Sequence, residues 1–267
     1  MFIIFGTRSY FRTQKTSQRG YCGHCGQFAK FKSWNGMNFF HLYYLPVIPL
    51  GRRQRTHKYC NKCNMTQQFD PDTFNALIHE LKENSANAVL ALREGEETIE
   101  IDAAASTDAL SLLEGSVDWF YSSNDHDFNQ GILAQLNHPQ CRYAEAMLRA
   151  YIRTMEGRLS HAIDDYAAAI QASPKRHIAY SRQANLLIES RRVDEAITVY
   201  QAGAKVAEGL PDELAIQIFL AHHLMNRKRF NEANKVHDRI VLLHPPMMND
   251  KQFAKAFHKA RKKATNT

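Results

Sequence analysis

The first 69 residues contain no aspartate and no glutamate; Asp70 is the first acid, against eleven Lys and Arg in residues 1–70. That stretch cannot neutralise its own cations. Its counter-charge must come from an anionic partner or from another part of the chain. Residues 71–225 carry twelve Lys and Arg against twenty-three acids, and residues 226–267 carry eleven against three. Two basic ends therefore enclose an acidic middle within a formal net charge of +7. Long apolar runs are also missing. The longest, Phe39 to Leu50, is interrupted by His41, Pro46 and Pro49, and a bilayer span needs about 20 residues. Met1 to Phe5 is apolar but is followed at once by Gly6, Thr7 and Arg8, which is too short for the core of a secretory signal. The expectation is a cytoplasmic protein, and membrane association is not expected on this pattern. Catalytic signatures are absent as well: there is no Gly-x-Ser-x-Gly elbow, no Gly-rich phosphate loop and no His-Glu-x-x-His. Asp164-Asp165, Glu96-Glu97 and His222-His223 are adjacent pairs, and neighbours on a helix do not face each other. No enzyme activity and no small-molecule substrate are expected.

What is present begins with the cysteines. Four of the five lie in Cys22-Gly23-His24-Cys25 and Cys60-Asn61-Lys62-Cys63. Two Cys-x-x-Cys knuckles supply the four thiolates of a tetrahedral structural zinc, and a reducing compartment favours metal over disulfide. One zinc ion held by Cys22, Cys25, Cys60 and Cys63 is the cofactor expected. A rubredoxin-like iron site and a redox dithiol are the alternatives. With four protein ligands no coordination position stays open for catalysis. Metal binding would supply folding free energy on the order of 10 kcal/mol to a segment with a modest core. His24 sits inside a knuckle, and His41 and His57 read as structural or surface residues. Cys141 reads as a buried apolar filler.

Around the knuckles the pattern is β. Met1 to Phe5 predicts a buried strand stopped by Gly6. Phe28 to Trp34 alternates, Asn35-Gly36 predicts a hairpin turn, and Asn38 to Tyr44 predicts the next strand. Leu45 to Gly51 is expected to be extended with turns, because Pro46 and Pro49 cannot donate to a sheet. Arg52 to Tyr59 and Thr66 to Phe69 complete the strands. Met1-Phe-Ile-Ile-Phe-Gly-Thr-Arg8, the two knuckles and Phe40-His-Leu-Tyr-Tyr-Leu-Pro-Val-Ile-Pro-Leu-Gly51 resemble a family of small bacterial and eukaryotic zinc-ribbon proteins. The resemblance covers about residues 1–69. It implies a structural zinc and no defined activity.

Behind this lies a repeat. Gly157 to Pro174 reads GRLSHAIDDYAAAIQASP, and 34 residues on, Leu159 maps to Val193, Ala162 to Ala196, Tyr166 to Tyr200 and Ala169 to Gly203. A third copy, with three extra residues around Glu208 to Glu213, runs through Ala221, Phe230, Ala233, His237, Ile240 and Pro245. The period and the small residues at helix-contact positions resemble tetratricopeptide repeats. Copies are placed at about 143–175, 177–210 and 214–246, with Gln217 and His237 off the pattern. Residues 249–264 form an amphipathic basic helix that caps the array. Residues 71–141 are a helical linker region that could hold a degenerate leading repeat. Within it Pro71 to Glu83, Thr107 to Tyr121 and Phe128 to Leu136 predict helices, and Glu94 to Asp102 predicts an acidic linker.

The expected fold is thus α+β and mostly α: a small antiparallel β zinc ribbon over residues 1–70, then an α-helical tetratricopeptide-repeat solenoid over 142–267. Two kinds of partner follow. A non-catalytic scaffold would hold a protein or peptide in a concave groove lined by Tyr151, Met155, Ser181, Asn185, Ile188, Ile218, His222 and Met225. Asn185 suits a carboxylate clamp, but Phe219 and Ala215 stand where basic residues are needed, so an internal peptide or short helix is expected instead. The alternative is an adaptor that binds RNA or DNA through Arg52, Arg53, Arg55 and Lys58 of the basic ribbon, beside Tyr43, Tyr44 and Tyr59.

Overall fold

A computed structural model describes residues 5–42, 45–102, 105–209 and 212–264. It is α+β and mostly α, with an N-terminal antiparallel sheet followed by ten α-helices among the described residues. The chain divides into two compact units, Met1–Arg158 and Leu159–Thr267.

Unit 1 opens with the sheet. Strands β1 (Phe5–Tyr21), β2 (Phe28–Leu42), β4 (Gln54–Cys60) and β5 (Gln67–Phe69) lie in the order β1-β2-β4-β5, and β3 (Leu45–Pro49) pairs with β2. Every pairing is antiparallel. Helix α1 (Pro71–Glu94) starts at Asp70, whose carboxylate accepts the Asp72 and Thr73 amides, and ends on Gly95 in the left-handed conformation. A short hairpin, β6 (Thr98–Asp102) and β7 (Ala105–Asp108), leads into α2 (Ala109–Ser123), α3 (His126–Gln135) and α4 (Arg142–Glu156). Ala88, Val89, Leu113, Val117, Ile132, Leu136, Cys141, Leu148 and Ile152 form one core beneath these helices. Cys141 is thus buried filler.

Several expectations change here. Gly6 does not stop the first strand; residues 1–4 lie outside the described residues, and β1 continues to Tyr21 through register shifts near Thr13. Asn35-Gly36 is not a turn. Both residues lie inside β2, opposite Arg55 and Gln54. Glycine eases the close approach of β1, since a Cβ there would meet Ser9 Oγ and come within 3.3 Å of the Tyr10 carbonyl oxygen. Leu45 to Pro49 pairs as an edge strand, where proline's missing donor costs nothing. The acidic linker is mostly the β6-β7 hairpin. The boundary between the two compact units falls after Arg158. The reason is that α4, expected to open the first repeat, buries Leu148, Ile152 and Met155 in the core of unit 1.

Unit 2 is a run of helices: α5 (Leu159–Ala172), α6 (His177–Glu189), α7 (Val193–Val206), α8 (Glu213–Asn226), α9 (Phe230–Leu243) and α10 (Lys251–Ala264). Helices α5 and α7 begin 34 residues apart, and three of their matching pairs are buried, Ala162 with Ala196, Tyr166 with Tyr200 and Ala169 with Gly203, while Leu159 and Val193 are half-buried. At Gly203 a Cβ would lie 2.8 Å from Tyr180 Cβ, so the small residue sets how closely α6 and α7 approach. His237 of α9 fills the place of the tyrosines, buried against the rings of Phe253 and Phe257 on α10. Burial holds its imidazole below the usual histidine range. Between α8 and α9, buried Glu213 accepts two bonds from Arg239, at 2.6 and 3.0 Å, and one from the Gly209 amide at 2.8 Å.

Candidate metal centre and partner surfaces

The two knuckles are built alike. The Gly26 amide bonds to the Cys22 carbonyl at 2.8 Å and the Asn64 amide to the Cys60 carbonyl at 3.0 Å. Each turn ends on a left-handed residue directly after its second cysteine, Gly26 at φ +67 and Asn64 at φ +61. Glycine and asparagine are the residues that tolerate that conformation. The β2-β4 pairing brings Cys60 opposite Phe31, which carries the second knuckle to the first.

The result is four thiols whose sulfurs lie within 4.8 Å of one another, with no disulfide among them. Cys22 Sγ and Cys63 Sγ are 3.8 Å apart. A tetrahedral ion with metal–sulfur bonds of about 2.3 Å separates its sulfurs by about 3.8 Å, so the quartet fits a metal ion. The chemistry of the donors agrees. The Cys25 and His24 amides favour the thiolate of Cys22, lowering it to about 6. At Cys63 the Met65 amide also favours the thiolate, but burial and the other three sulfurs outweigh it and push the thiol up to about 12. Four thiolates this close do not coexist without a cation between them. Cys22 and Cys60 are buried, with Ala29 and Phe31 packed against the sulfurs.

The cations named for nucleic acid separate into two groups. Arg52 and Arg53 are exposed. Arg55 is not a surface cation: it is 3% exposed, donates to the Ser122 carbonyl, and reaches the Gln14 carbonyl at 3.1 Å and Asn35 Oδ1 at 3.3 Å. Burial lowers its guanidinium to about 10. Lys58 forms an ion pair with Asp118 of α2. Tyr43 and Tyr44 lie outside the described residues. One face of β4 is therefore taken up by α2, because the acid-free sheet finds its counter-charge inside the same unit.

This docking surface contains residues that sequence patterns missed. Asp118 accepts from Gln18 Nε2 at 2.7 Å as well as from Lys58. Thr16 donates to the Ser122 carbonyl at 2.8 Å. His57 stacks on Trp119 with ring centroids 3.9 Å apart, and its Nδ1 lies 2.9 Å from Ser122 Oγ. Burial, then the positive charges of Lys58 and Arg55, lower this imidazole to about 3. The signal was an acid and a tryptophan set within the apolar stripe of Leu113, Val117 and Phe120.

The expected groove residues fall in both units. Tyr151 and Met155 lie on α4 of unit 1, and Met155 is a core residue, 3% exposed. It cannot line an open groove, since its side chain packs with Leu148 and Ile152. Ser181, Asn185 and Ile188 lie half-buried on α6, and Asn185 accepts the Tyr200 hydroxyl. On α8, Ile218 and His222 are exposed and Met225 is half-buried. Phe219 beside them is also exposed, its ring parallel to that of Tyr200 at 6.4 Å.

No family model matches the chain, and no curated protein does. Ten solved chains match. One is titled the crystal structure of BtubC (BKLC) from P. vanneervenii. It superposes with a TM-score of 0.48 over 72% of this chain and 84% of that one, at 12% identity. No helix among the described residues is long and apolar enough to cross a membrane.

Proposed function

We propose that the protein is a non-catalytic, zinc-stabilised interaction scaffold of the cytoplasm. Zinc in the cysteine quartet holds the sheet of unit 1. Unit 2 is a tetratricopeptide-type array that receives a protein segment, a peptide or short helix, along α6 and α8. The observation that carries the partner surface is α8 itself. Ile218 and Phe219 are exposed on a helix that already buries Ile216, Leu220 and Leu224, Ile218 opposite that stripe and Phe219 at its edge. Adjacent exposed apolar side chains beside polar groups mark a surface suited to a partner. Asn185 and His222 supply polar groups beside it, as peptide grooves do. Zinc is favoured for the metal because four thiolates in a closed tetrahedral shell are its usual structural set. A closed shell gives the metal no substrate position, so its role is structural.

The test is a photo-crosslinking amino acid placed at Ile218 in the full-length protein, with the same group at exposed Leu242 as control. A protein segment captured at 218 and not at 242, and lost when Asn185 and Phe219 are changed to Ala, supports the scaffold. Equal capture at both sites, or capture that nuclease abolishes, refutes it.

A further inference from the structure

The sheet of unit 1 has two unlike ends. At one end Thr16, Gln18, Arg55, His57 and Lys58 bond to or stack on α2. The other end consists of β1 as far as Arg12, the second half of β2, and β3. Here apolar side chains face solvent: Phe11 is 62% exposed, Leu45 69%, Ile48 54% and Leu50 43%. Among the described residues no helix packs on this end of the three strands. The residues are grouped by the pairing. Ile48 lies opposite Phe40 and the Leu50 amide bonds to the Asn38 carbonyl, on one face of the sheet, while Phe11 packs edge-on against the intervening Phe39 at 5.5 Å, on the other face.

Cations surround this apolar end. Arg12 and Leu50 line the same open cavity of about 500 Å³. Exposed Arg52 and Arg53 follow Leu50 by two and three residues. No acid precedes Asp70. The occupant is thus anionic, and it also takes aliphatic side chains. A nucleic acid would use the arginines and leave Leu45 and Ile48 in water. A peptide adding a strand to β3 would meet Pro46 and Pro49, which lack donors and blunt the edge. A bilayer interface uses both features at once, hydrocarbon below and phosphate above.

We propose that this end of the sheet docks peripherally on an anionic phospholipid bilayer, with Leu45, Ile48 and Leu50 entering the headgroup region and Arg12, Arg52 and Arg53 meeting lipid phosphates. The site is independent of α8 and of any partner there.

The test is co-sedimentation of the full-length protein with phosphatidylcholine vesicles containing about 30% phosphatidylglycerol, and with pure phosphatidylcholine, at physiological salt. Binding to the anionic vesicles should exceed binding to the neutral ones at least tenfold. Neutralising the arginines, R52Q with R53Q, should weaken it about fivefold per residue. I48S with L50S should weaken it at least tenfold. All four sites are exposed, so circular-dichroism melts should stay unchanged, and Leu45→Ser serves as the second apolar variant if that pair does not fold. Failure to sediment with anionic vesicles overturns the proposal. So does sedimentation that the serine variants leave intact, and so does binding of a single-stranded oligonucleotide without vesicle binding.

Discussion

Lowering the pH from 7 to 5 should cost unit 1 stability through His57 in particular. The ring is buried, stacked on Trp119 and flanked by Arg55 and Lys58, and its imidazole is held at about 3. In the unfolded chain the same group titrates near about 6.5. The folded value is the lower one, so below pH 6.5 the unfolded state binds the proton and the native state does not. Stability is complete above that value and falls as pH drops towards 3. The slope is about 1.4 kcal/mol per pH unit, which gives about 2 kcal/mol at pH 5. That figure depends on the unfolded-state value alone, provided the folded one lies well below 5. Urea unfolding followed by tryptophan fluorescence reads it, because both tryptophans, Trp34 and Trp119, lie in unit 1. Acid also loosens thiolate–metal bonds, so the quantity to measure is the difference in pH dependence between the wild type and His57→Gln. The variant should lose about 2 kcal/mol less between pH 7 and 5. Equal losses would refute the reasoning, as would a directly measured His57 titration above pH 5.

Two further substitutions probe packing. Gly36→Ala pushes a methyl group against Ser9 and the Tyr10 carbonyl and should destabilise unit 1 by about 1–2 kcal/mol in the same fluorescence assay; an unchanged midpoint would mean that β1 yields there. Glu213→Gln removes the buried carboxylate of the pair, leaving Arg239 only the longer contact to exposed Glu208 at 3.6 Å, and should cost unit 2 about 2 kcal/mol at pH 7 by far-ultraviolet circular dichroism. Arg239, the nearest cause, holds the Glu213 carboxylate below its usual range. The wild-type advantage is therefore present above about pH 4.3 and lost as pH falls through the folded value.

Much of this molecule was legible where a residue's role is local. The cysteine spacing marked the four thiols that come together, because a knuckle is a turn of a few residues with its own geometry. The 34-residue phase marked α5, α7 and their alanines, because close helix contact needs small residues wherever it recurs. Strand β1 was not legible. Its residues are polar because Thr16 and Gln18 bond to α2, and those partners lie 106 and 100 residues away. Phe11 and Gln14 take positive φ, near 53 and 45, which breaks the alternation a strand should show. Asn35-Gly36 carried a strong local turn signal that tertiary crowding overrode. Helix α1 runs past Glu83 to its Gly95 cap because Ala88 and Val89 bury in the core of unit 1; Ser85, which interrupts the apolar pattern, is tolerated there with its hydroxyl on the Leu81 carbonyl at 2.6 Å. The basic strand β4 suggested an outside anion, yet Arg55 and Lys58 meet Ser122 and Asp118 within the unit.

The cysteine quartet as a structural metal centre is the claim on which unit 1 depends. It is tested most directly by elemental analysis of the full-length protein purified under reducing conditions, beside Cys22→Ser and Cys60→Ser. About one zinc per chain in the wild type and none in either variant, together with loss of the tryptophan unfolding transition of unit 1 and retention of the helical signal of unit 2, is the predicted result. A wild-type protein without bound metal, or a Cys60→Ser variant whose unit 1 unfolds at the wild-type midpoint, would contradict it.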